Sequence, residues 1–403
     1  MPLIQNLCLL LIAAHLLGRL ATRFGQQELL GHMAAGVLLG PAVLNWVSAD
    51  SLLNSFADLA VLFVVIAAGL EMHLREVTEM FKGRGLLALL PGIALPAAAG
   101  FVLALCFNFH WLGATVVALC VSVTALPVAL RILSSFGLLG TRLAQLTIAG
   151  ALLADVLVLL SLGILSPGNG ALQLSAGSLL GLSALKLLAL LSLLALGAWL
   201  CKLIYRQRTA QLRRLAAAQL SFALLLILGL AAASDALGLH FAIGAFLGAL
   251  MISECHSEMV GDREASHPLQ PQLEGMSNML FAPLFLACQG THFTASSLTH
   301  PAFAVSLVLV AVASKLLGGY WGARVYGLPR HEAQGTAIVM NARGVMEMVV
   351  ASIAYRAGLV DQALFSTLLI VGIVTTLLTP LLLKRWQKQE TTNGMSADKP
   401  IEP

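Results

Sequence analysis

The chain has 403 residues, of which 59% are hydrophobic and 10% are charged, and its formal net charge is +4. A soluble globular protein normally has about 25% charged residues, so the composition excludes a protein whose whole surface faces water. The small positive charge does not indicate nucleic-acid binding, because the basic residues are distributed unevenly among the loops between apolar segments, as in membrane proteins.

Apolar segments near 20 residues long, the length that crosses the hydrocarbon of a bilayer, recur along the whole chain. Glycine, proline and charged residues between them divide the chain into predicted transmembrane helices. These thirteen helices lie near residues 3–22, 29–46, 53–72, 85–107, 112–134, 142–166, 177–204, 214–235, 238–254, 272–290, 300–324, 333–357 and 362–384. The N-terminus lacks the basic region and cleavage site of a signal peptide, so the first helix is expected to be retained. Residues 387–403 are polar and predicted to form a disordered cytoplasmic tail, with no soluble regulatory domain attached.

Basic residues cluster in the loops that follow odd-numbered helices. They are Arg19, Arg23, Arg75, Lys82, Arg84, Arg131, Arg142, Lys202, Arg206, Arg208, Arg213, Arg214, Arg263, Arg324, Arg330, Lys384, Arg385 and Lys388. The loops after even-numbered helices contain no lysine or arginine except Arg356. The positive-inside rule therefore predicts a cell (inner) membrane protein with its N-terminus outside and its C-terminus in the cytoplasm. Twelve or fourteen helices would break this alternation.

A weak internal repeat relates helix 2 to helix 9. His32, Gly36 and Gly40 have the same spacing as the histidine and two glycines that begin at His240, at an offset of 208 residues. The two copies would run in opposite directions through the membrane, as in the inverted repeats of many secondary transporters. The glycines alone would equally mark close packing between helices.

The six cysteines are scattered, and the sequence has no CxxC motif and no cluster of histidine and cysteine. This pattern predicts neither a disulfide nor a bound cofactor. No nucleophile and base occur in a catalytic arrangement, so an enzyme is not expected.

Ionisable groups at bilayer depth are costly and usually functional, and four such residues stand out in the predicted helices. Asp155 lies in the middle of helix 6, Lys315 in helix 11, and Arg343 and Glu347 in helix 12. Asp155 has no basic neighbour in sequence that would neutralise it. For the other three, a structural ion pair and a role in ion handling are both open.

Two predicted helices contain helix-breaking sequences. Helix 5 reads Ser122-Val-Thr124-Ala-Leu-Pro127, and helix 12 reads Asn341-Ala-Arg343-Gly344. Proline removes a backbone donor and frees a carbonyl one turn earlier. Irregular backbone at membrane depth is tolerated where it is buried in protein or lines a cavity. Two broken helices, one carboxylate and one ammonium together predict a site for a small cation, while a simple proline kink stays the alternative for helix 5 alone.

In these segments the sequence resembles the monovalent cation:proton antiporter superfamily, in its Kef- and Nap-like branch. The resemblance covers roughly residues 5 to 385. It depends on five segments taken in order, namely GHMAAGVLLGP, AAGLEMHLRE, SVTALPVALRILSSFGLLGTRLAQL continuing into ALLADVL, LHFAIGAFLGALMISE and MNARGVMEMV.

The resemblance implies an all-α sodium/proton antiporter fold with a dimerisation domain, a core domain with two crossed broken helices, and a homodimer in the bilayer. The membrane domain over residues 1–386 would comprise inverted repeats at about 1–166 and 214–386, joined by a linker helix at about 177–204. Asp155 matches the carboxylate that binds cation or proton in turn, and it is the single site expected for a metal ion, a monovalent cation. Thr124 and its neighbour Ser122 match the unwound segment, and Lys315 matches the basic residue near the carboxylate. Residues expected to form ion pairs or to compensate charge are Arg343, Glu347, Glu71 and Asn341.

One departure affects the mechanism. Many members carry a second acidic or amide residue before the aspartate, whereas this chain has Ala154. Lys315 therefore lacks the carboxylate partner of double-aspartate relatives. Either Asp155 or Glu347 serves as the carboxylate partner of Lys315, or the lysine is neutral. The number of protons exchanged per cation therefore stays open.

The leading interpretation is a secondary transporter that exchanges Na+ or K+ for H+ by alternating access at Asp155. One alternative is a Kef-like gated K+ efflux channel or transporter regulated by a separate chain. Another is a sodium-coupled transporter of organic solutes with the same fold. Ala154 alone supports a fourth, a sensor or scaffold that does not transport.

Overall fold

The computed structural model describes residues 3–48, 50–71, 85–138, 140–165, 216–237, 239–260, 267–294 and 301–392, and seven separate positions between 185 and 199. All regular elements within these ranges are helices. They are α1 (Leu3–Arg23), α2 (Glu28–Leu39), α3 (Ser51–Leu70), α4 (Gly85–Cys106), α5 (Trp111–Ser122), α6 (Leu126–Ser135), α7 (Arg142–Leu165), α8 (Ala216–Ala236), α9 (Phe241–Val260), α10 (Leu269–Met276), α11 (Ala282–Thr291), α12 (Pro301–Tyr326), α13 (Arg330–Met340), α14 (Val345–Arg356) and α15 (Gln362–Thr392). A π-helical turn, Ser277–Phe281, joins α10 to α11.

Six of the described helices are individually long and apolar enough to cross a membrane, namely α1, α3, α4, α7, α12 and α15. The pair α13 and α14 forms a further span that is bent by 43° at its break. The chain is therefore a multi-pass membrane protein. Twelve of the predicted helices coincide with helices in the described residues. The linker helix at 177–204 lies largely outside them, so the total of thirteen stays a prediction.

Three predicted helix ends were wrong by six residues or more. Helix 9 was predicted to end at residue 254, but α9 continues to Val260. Helix 2 was predicted to reach residue 46, but α2 ends at Leu39. Gly40 is extended, with φ −73° and ψ −177°, because Pro41 disfavours helical backbone in the residue before it. The last helix continues past residue 384 to Thr392 and includes residues 387–392, which were predicted to belong to the disordered tail. The rest of the tail lies outside the described residues.

The chain forms two compact units. The first comprises residues 1–55, 76–158 and 283–403. Within it, α12 packs closely on two neighbours: a Cβ at Gly318 would lie 2.3 Å from the carbonyl oxygen of Pro91 in α4, and one at Gly319 would lie 2.9 Å from Cα of Ala337 in α13. These contacts fix the helix that carries Lys315.

The second unit comprises residues 56–75 and 159–282. Its helices α8 and α9 are in close contact, since a Cβ at Gly244 would lie 2.2 Å from the carbonyl oxygen of Leu230. Ser253 Oγ donates to the carbonyl of Leu70 at 3.1 Å, and the rings of Phe63 and Phe281 stack with centroids 4.3 Å apart.

The glycines of the internal repeat lie at close helix contacts. A Cβ at Gly36 would lie 1.9 Å from the carbonyl oxygen of Ala287, much as Gly244 meets Leu230. The histidines differ, because His32 lies inside α2 whereas His240 precedes α9 and its Nδ1 accepts from Ala242 N at 3.3 Å. The inverted repeats therefore stay a prediction.

Candidate functional site: the crossing of two broken helices

The first predicted break is confirmed between α5 and α6. Helix α5 ends at Ser122, the backbone of Val123 is extended with φ −60° and ψ 142°, and α6 begins at Leu126. Pro127 lies in the first turn of α6. Proline is tolerated there because the first amides of a helix have no intrahelical acceptor. Its missing N–H also cannot donate to the carbonyl of Val123, which a helix continuing from α5 would require.

The second predicted break is confirmed between α13 and α14, at residues 341–344. The backbone of Gly344 is extended, with φ −172° and ψ −148°. A Cβ at this position would lie 2.8 Å from both Ala125 Cβ and Val128 Cγ2 of the first broken helix. Glycine is therefore required for close approach at this point.

The two breaks are in direct contact. Ala125 N donates to the carbonyl of Ala342 at 3.0 Å, and Thr124 Oγ1 donates to the carbonyl of Met340 at 3.1 Å. Each break thus satisfies part of the backbone that the other leaves without helical partners. The predicted crossing of two discontinuous helices is confirmed.

Two buried cations bind the last three carbonyls of α5. Arg343 donates through Nη1 to Cys120 O at 2.6 Å and through Nη2 to Val121 O at 2.8 Å. Lys315 Nζ donates to Ser122 O. The end of a helix carries partial negative charge, so positive side chains are stabilised there. Arg343 and Lys315 are 0% and 1% exposed.

Arg343 also forms a buried ion pair with Glu347, with Nη1 and Oε1 2.8 Å apart. Lys315 instead uses a backbone carbonyl, a partner that the sequence interpretation did not consider. Every residue has a carbonyl, and only the tertiary fold shows which ones a broken helix leaves free. Glu71 follows α3 and is partly buried in the second unit, so its role in an ion pair stays a prediction.

Asp155 is 1% exposed, and neither carboxylate oxygen has a hydrogen-bond partner among the described residues. It interacts electrostatically with Lys315. Between one and two turns before Asp155, the same helix α7 contacts the second break: a Cβ at Gly150 would lie 2.5 Å from Cε of Met340, the last residue of α13. An unpartnered buried carboxylate is costly and indicates a group that binds something else.

The hydroxyl groups at the first break offer lone pairs. Ser122 Oγ donates its hydrogen to Leu119 O at 2.8 Å, and Thr124 donates its own to Met340 O. Because both hydroxyl hydrogens are donated to carbonyls, each hydroxyl oxygen can only accept further hydrogen bonds or bind a cation. Oxygen acceptors are the ligands that hard cations prefer.

Helix α15 supplies polar contacts that the sequence interpretation missed. Thr376 Oγ1 donates to Arg343 O at 3.2 Å, and Asn341 Nδ2 donates to Thr379 Oγ1 at 3.4 Å. Asn341 Oδ1 has no partner among the described residues. The sequence signal was the group of threonines at helical spacing in an otherwise apolar segment.

Comparison with known proteins identifies the family. The profile of a family described as "Sodium/hydrogen exchanger, transmembrane" matches residues 9–388. The chain is 27% identical over 397 residues, covering 98% of this chain and 100% of the relative, to a Na(+)/H(+) antiporter of Enterococcus hirae. It is 28% identical over 383 residues to the Na(+)/H(+)-K(+) antiporter GerN of Bacillus cereus, covering 94% of this chain and 95% of the relative.

The fold has solved counterparts. The sodium proton antiporter MjNhaP1 of Methanocaldococcus jannaschii, at pH 8, superposes with a TM-score of 0.68 and 14% sequence identity, covering 96% of this chain and 97% of that protein. At this identity the likeness shows the fold alone, which is the predicted antiporter fold. With the family profile matching nearly the whole sequence, the chain belongs to the transmembrane sodium/hydrogen exchanger family.

Proposed function

We propose that the protein exchanges a monovalent cation, Na+ or K+, for protons, and that Asp155 binds the cation and the proton in turn. The observation that supports this most directly is the buried Asp155 carboxylate beside the crossing, whose two oxygens have no hydrogen-bond partner in the part of the chain that the structure describes. Relatives named as Na+/H+ and Na+/H+-K+ antiporters support the same chemistry and leave both cations open.

The cation would be held by Asp155 and by the hydroxyl oxygens of Ser122 and Thr124. The carbonyls at the end of α5 are poor ligands for it, because the positively charged Arg343 and Lys315 donate to them and repel a further cation. Ala154 adds no ligand. The protein would therefore supply few ligands, and the cation would keep part of its water shell.

Counting charge around the crossing supports one-for-one exchange. With Asp155 ionised, two carboxylates, Asp155 and Glu347, balance two cations, Arg343 and Lys315. Binding either one proton or one monovalent cation raises this sum from zero to +1. The two loaded forms carry equal charge, so a cycle that exchanges them moves no net charge.

Alternating access completes the proposal: a conformational change exposes Asp155 to one side of the membrane and then to the other. The orientation that the basic loops predict places the N-terminus outside and the C-terminus in the cytoplasm, in the inner membrane of the cell. The homodimer implied by the family belongs to the same proposal.

The direct test uses purified protein in liposomes that contain a pH-sensitive dye. After a pH gradient is imposed, Na+, K+, Li+ or choline is added outside. We expect proton movement with Na+ or K+ and none with choline. Proton movement that is the same for every cation and for protein-free liposomes would refute the proposal.

A further inference from the structure

The last helix joins the far ends of both broken helices. Trp386 Nε1 donates to the carbonyl of His331 at 3.0 Å, and its ring stacks on the ring of His331 with centroids 4.5 Å apart. Gln387 Nε2 donates to the carbonyl of Phe136 at 3.2 Å. His331 lies in the first turn of α13, and Phe136 directly follows α6. Two consecutive residues of α15 thus hold the ends that lie farthest from the breaks.

Gly335 makes room for the indole. A Cβ at this position would lie 2.7 Å from Trp386 Cζ2 and 2.6 Å from Leu143 Cδ1. The ring therefore lies directly on the backbone of α13, and Trp386 is 5% exposed although it lies near the end of the chain. An aromatic side chain that stacks on His331, lies against Gly335 and donates its N–H has little freedom to move.

Trp386 belongs to a continuous apolar cluster, here called the core plug, that extends to the crossing. Its buried members come from α6, α7, α13, α15 and the adjoining backbone: Ala125, Val128, Ala129, Ile132, Leu133, Leu138, Leu143, Ala144, Val339, Ala342, Leu383 and Trp386. Ala125 and Ala342 are the residues whose backbones bond to each other where the two breaks meet. The core plug thus fills the space from that hydrogen bond to Trp386.

We propose that the core plug permanently closes the route through its own apolar side chains between the crossing and the cytoplasm, and that Trp386 closes the outer end of this route. In the transport cycle Asp155 reaches the cytoplasm by a different route. This inference builds on the proposed function and the predicted orientation. Coupled exchange requires that Asp155 face one side at a time. A site that stayed in contact with the cytoplasm through the core would, when open to the outside, conduct protons without a cation.

Removing the indole should let water into the core plug. In Trp386→Ala the carbonyl of His331 loses the indole N–H that donates to it, and the imidazole of His331 loses the ring that stacks on it, so the vacated space has room and polar partners for water. Water enters a cavity that offers both, whereas a purely apolar cavity stays dry. Once hydrated, the plug would connect the cytoplasm to the crossing.

The test measures proton flux in liposomes driven by a pH gradient with choline as the sole added cation. The wild type should match protein-free liposomes, and Trp386→Ala should leak protons faster than either of them. The double variant with Asp155→Asn should return to background, because the leak passes through Asp155. The matched control is Trp321→Ala in α12, where the tryptophan is 58% exposed and no leak is expected.

A Trp386→Ala protein that exchanges cations as the wild type does and shows no leak would overturn the seal. A leak that persists in the double variant would also overturn it, since those protons would not use the ion site. Should Trp386→Ala fail to fold, Leu383→Ser tests the same cluster, because it leaves both space and a hydroxyl group for water. A proton leak is expected, and a variant without a leak would contradict the inference. A wild type that exchanges no cation would refute the proposed function and not the seal.

Discussion

Exchange by this protein should be electrically silent, and Lys315 determines whether that holds. Its ammonium donates to Ser122 O at the end of α5, where a positive charge is stabilised, and Glu347 is engaged with Arg343. Lys315 should therefore keep its proton through the cycle. One monovalent cation then replaces one proton at Asp155, and no net charge crosses the membrane.

The two possible stoichiometries differ greatly in how far a membrane potential shifts the limiting cation gradient. A membrane potential of 100 mV acts on one elementary charge with about 2.3 kcal/mol. In one-for-one exchange no net charge moves, so this energy does not affect the limiting cation gradient. If Lys315 also released a proton, each cycle would move one net charge, and 100 mV would shift the limiting cation gradient about 50-fold.

The assay imposes a diffusion potential with a thiocyanate gradient, which introduces no transported cation, and follows cation-driven proton movement with a dye. We expect the same rate and the same final gradient at either sign of the potential. The Lys315→Arg variant should still exchange cations, and its rate should still not depend on the membrane potential, because arginine preserves a donor for Ser122 O and does not deprotonate. A rate that follows the sign of the potential in the wild type, and loses this dependence in Lys315→Gln, would refute the reasoning.

Two further predictions follow from contacts at the crossing, and a third from the predicted orientation. Glu347→Gln leaves the Arg343 guanidinium buried without its counter-charge and should lower the free energy of unfolding by about 3–5 kcal/mol. The measurement is the temperature of thermal unfolding in detergent, which should fall. An unchanged unfolding temperature would contradict a buried ion pair. Gly344→Ala should lower the free energy of unfolding by about 1–3 kcal/mol and slow exchange, because its Cβ would overlap the other broken helix. The control is Gly229→Ala, where the added Cβ has open space around it. Equal effects of the two substitutions would count against the close contact at the crossing. Cysteines at Ser48 and Ser396 should react with impermeant reagents from opposite sides, and labelling from the same side would exclude the predicted orientation.

The helix breaks were predictable because their signals are local. Pro127 disfavours helical backbone just before it, and Gly344 follows an asparagine and an arginine within an apolar segment. The buried charges were equally visible, because an isolated Asp155 among aliphatic residues is rare in a bilayer. Their partners were not visible, since Arg343 binds carbonyls more than 220 positions away in sequence.

The ends of the helices show a second limit of sequence interpretation. Residues 387–392 are polar, which indicates a tail, yet they continue a helix in which Trp386 is buried against α13 and Gln387 binds Phe136. Tertiary contacts outweigh local composition at that point. The short α2 shows the reverse, because Pro41 is a local signal strong enough to end the helix inside an apolar segment.

The measurement that tests the central claim most directly is cation-dependent proton flux through Asp155→Asn in liposomes. Asparagine preserves the size of the side chain and its capacity to hydrogen-bond, but it cannot alternate between a charged and a neutral form. We expect flux at the level of protein-free liposomes, with thermal unfolding of the purified variant close to that of the wild type. Exchange at the wild-type rate would show that Asp155 does not carry the cation and the proton.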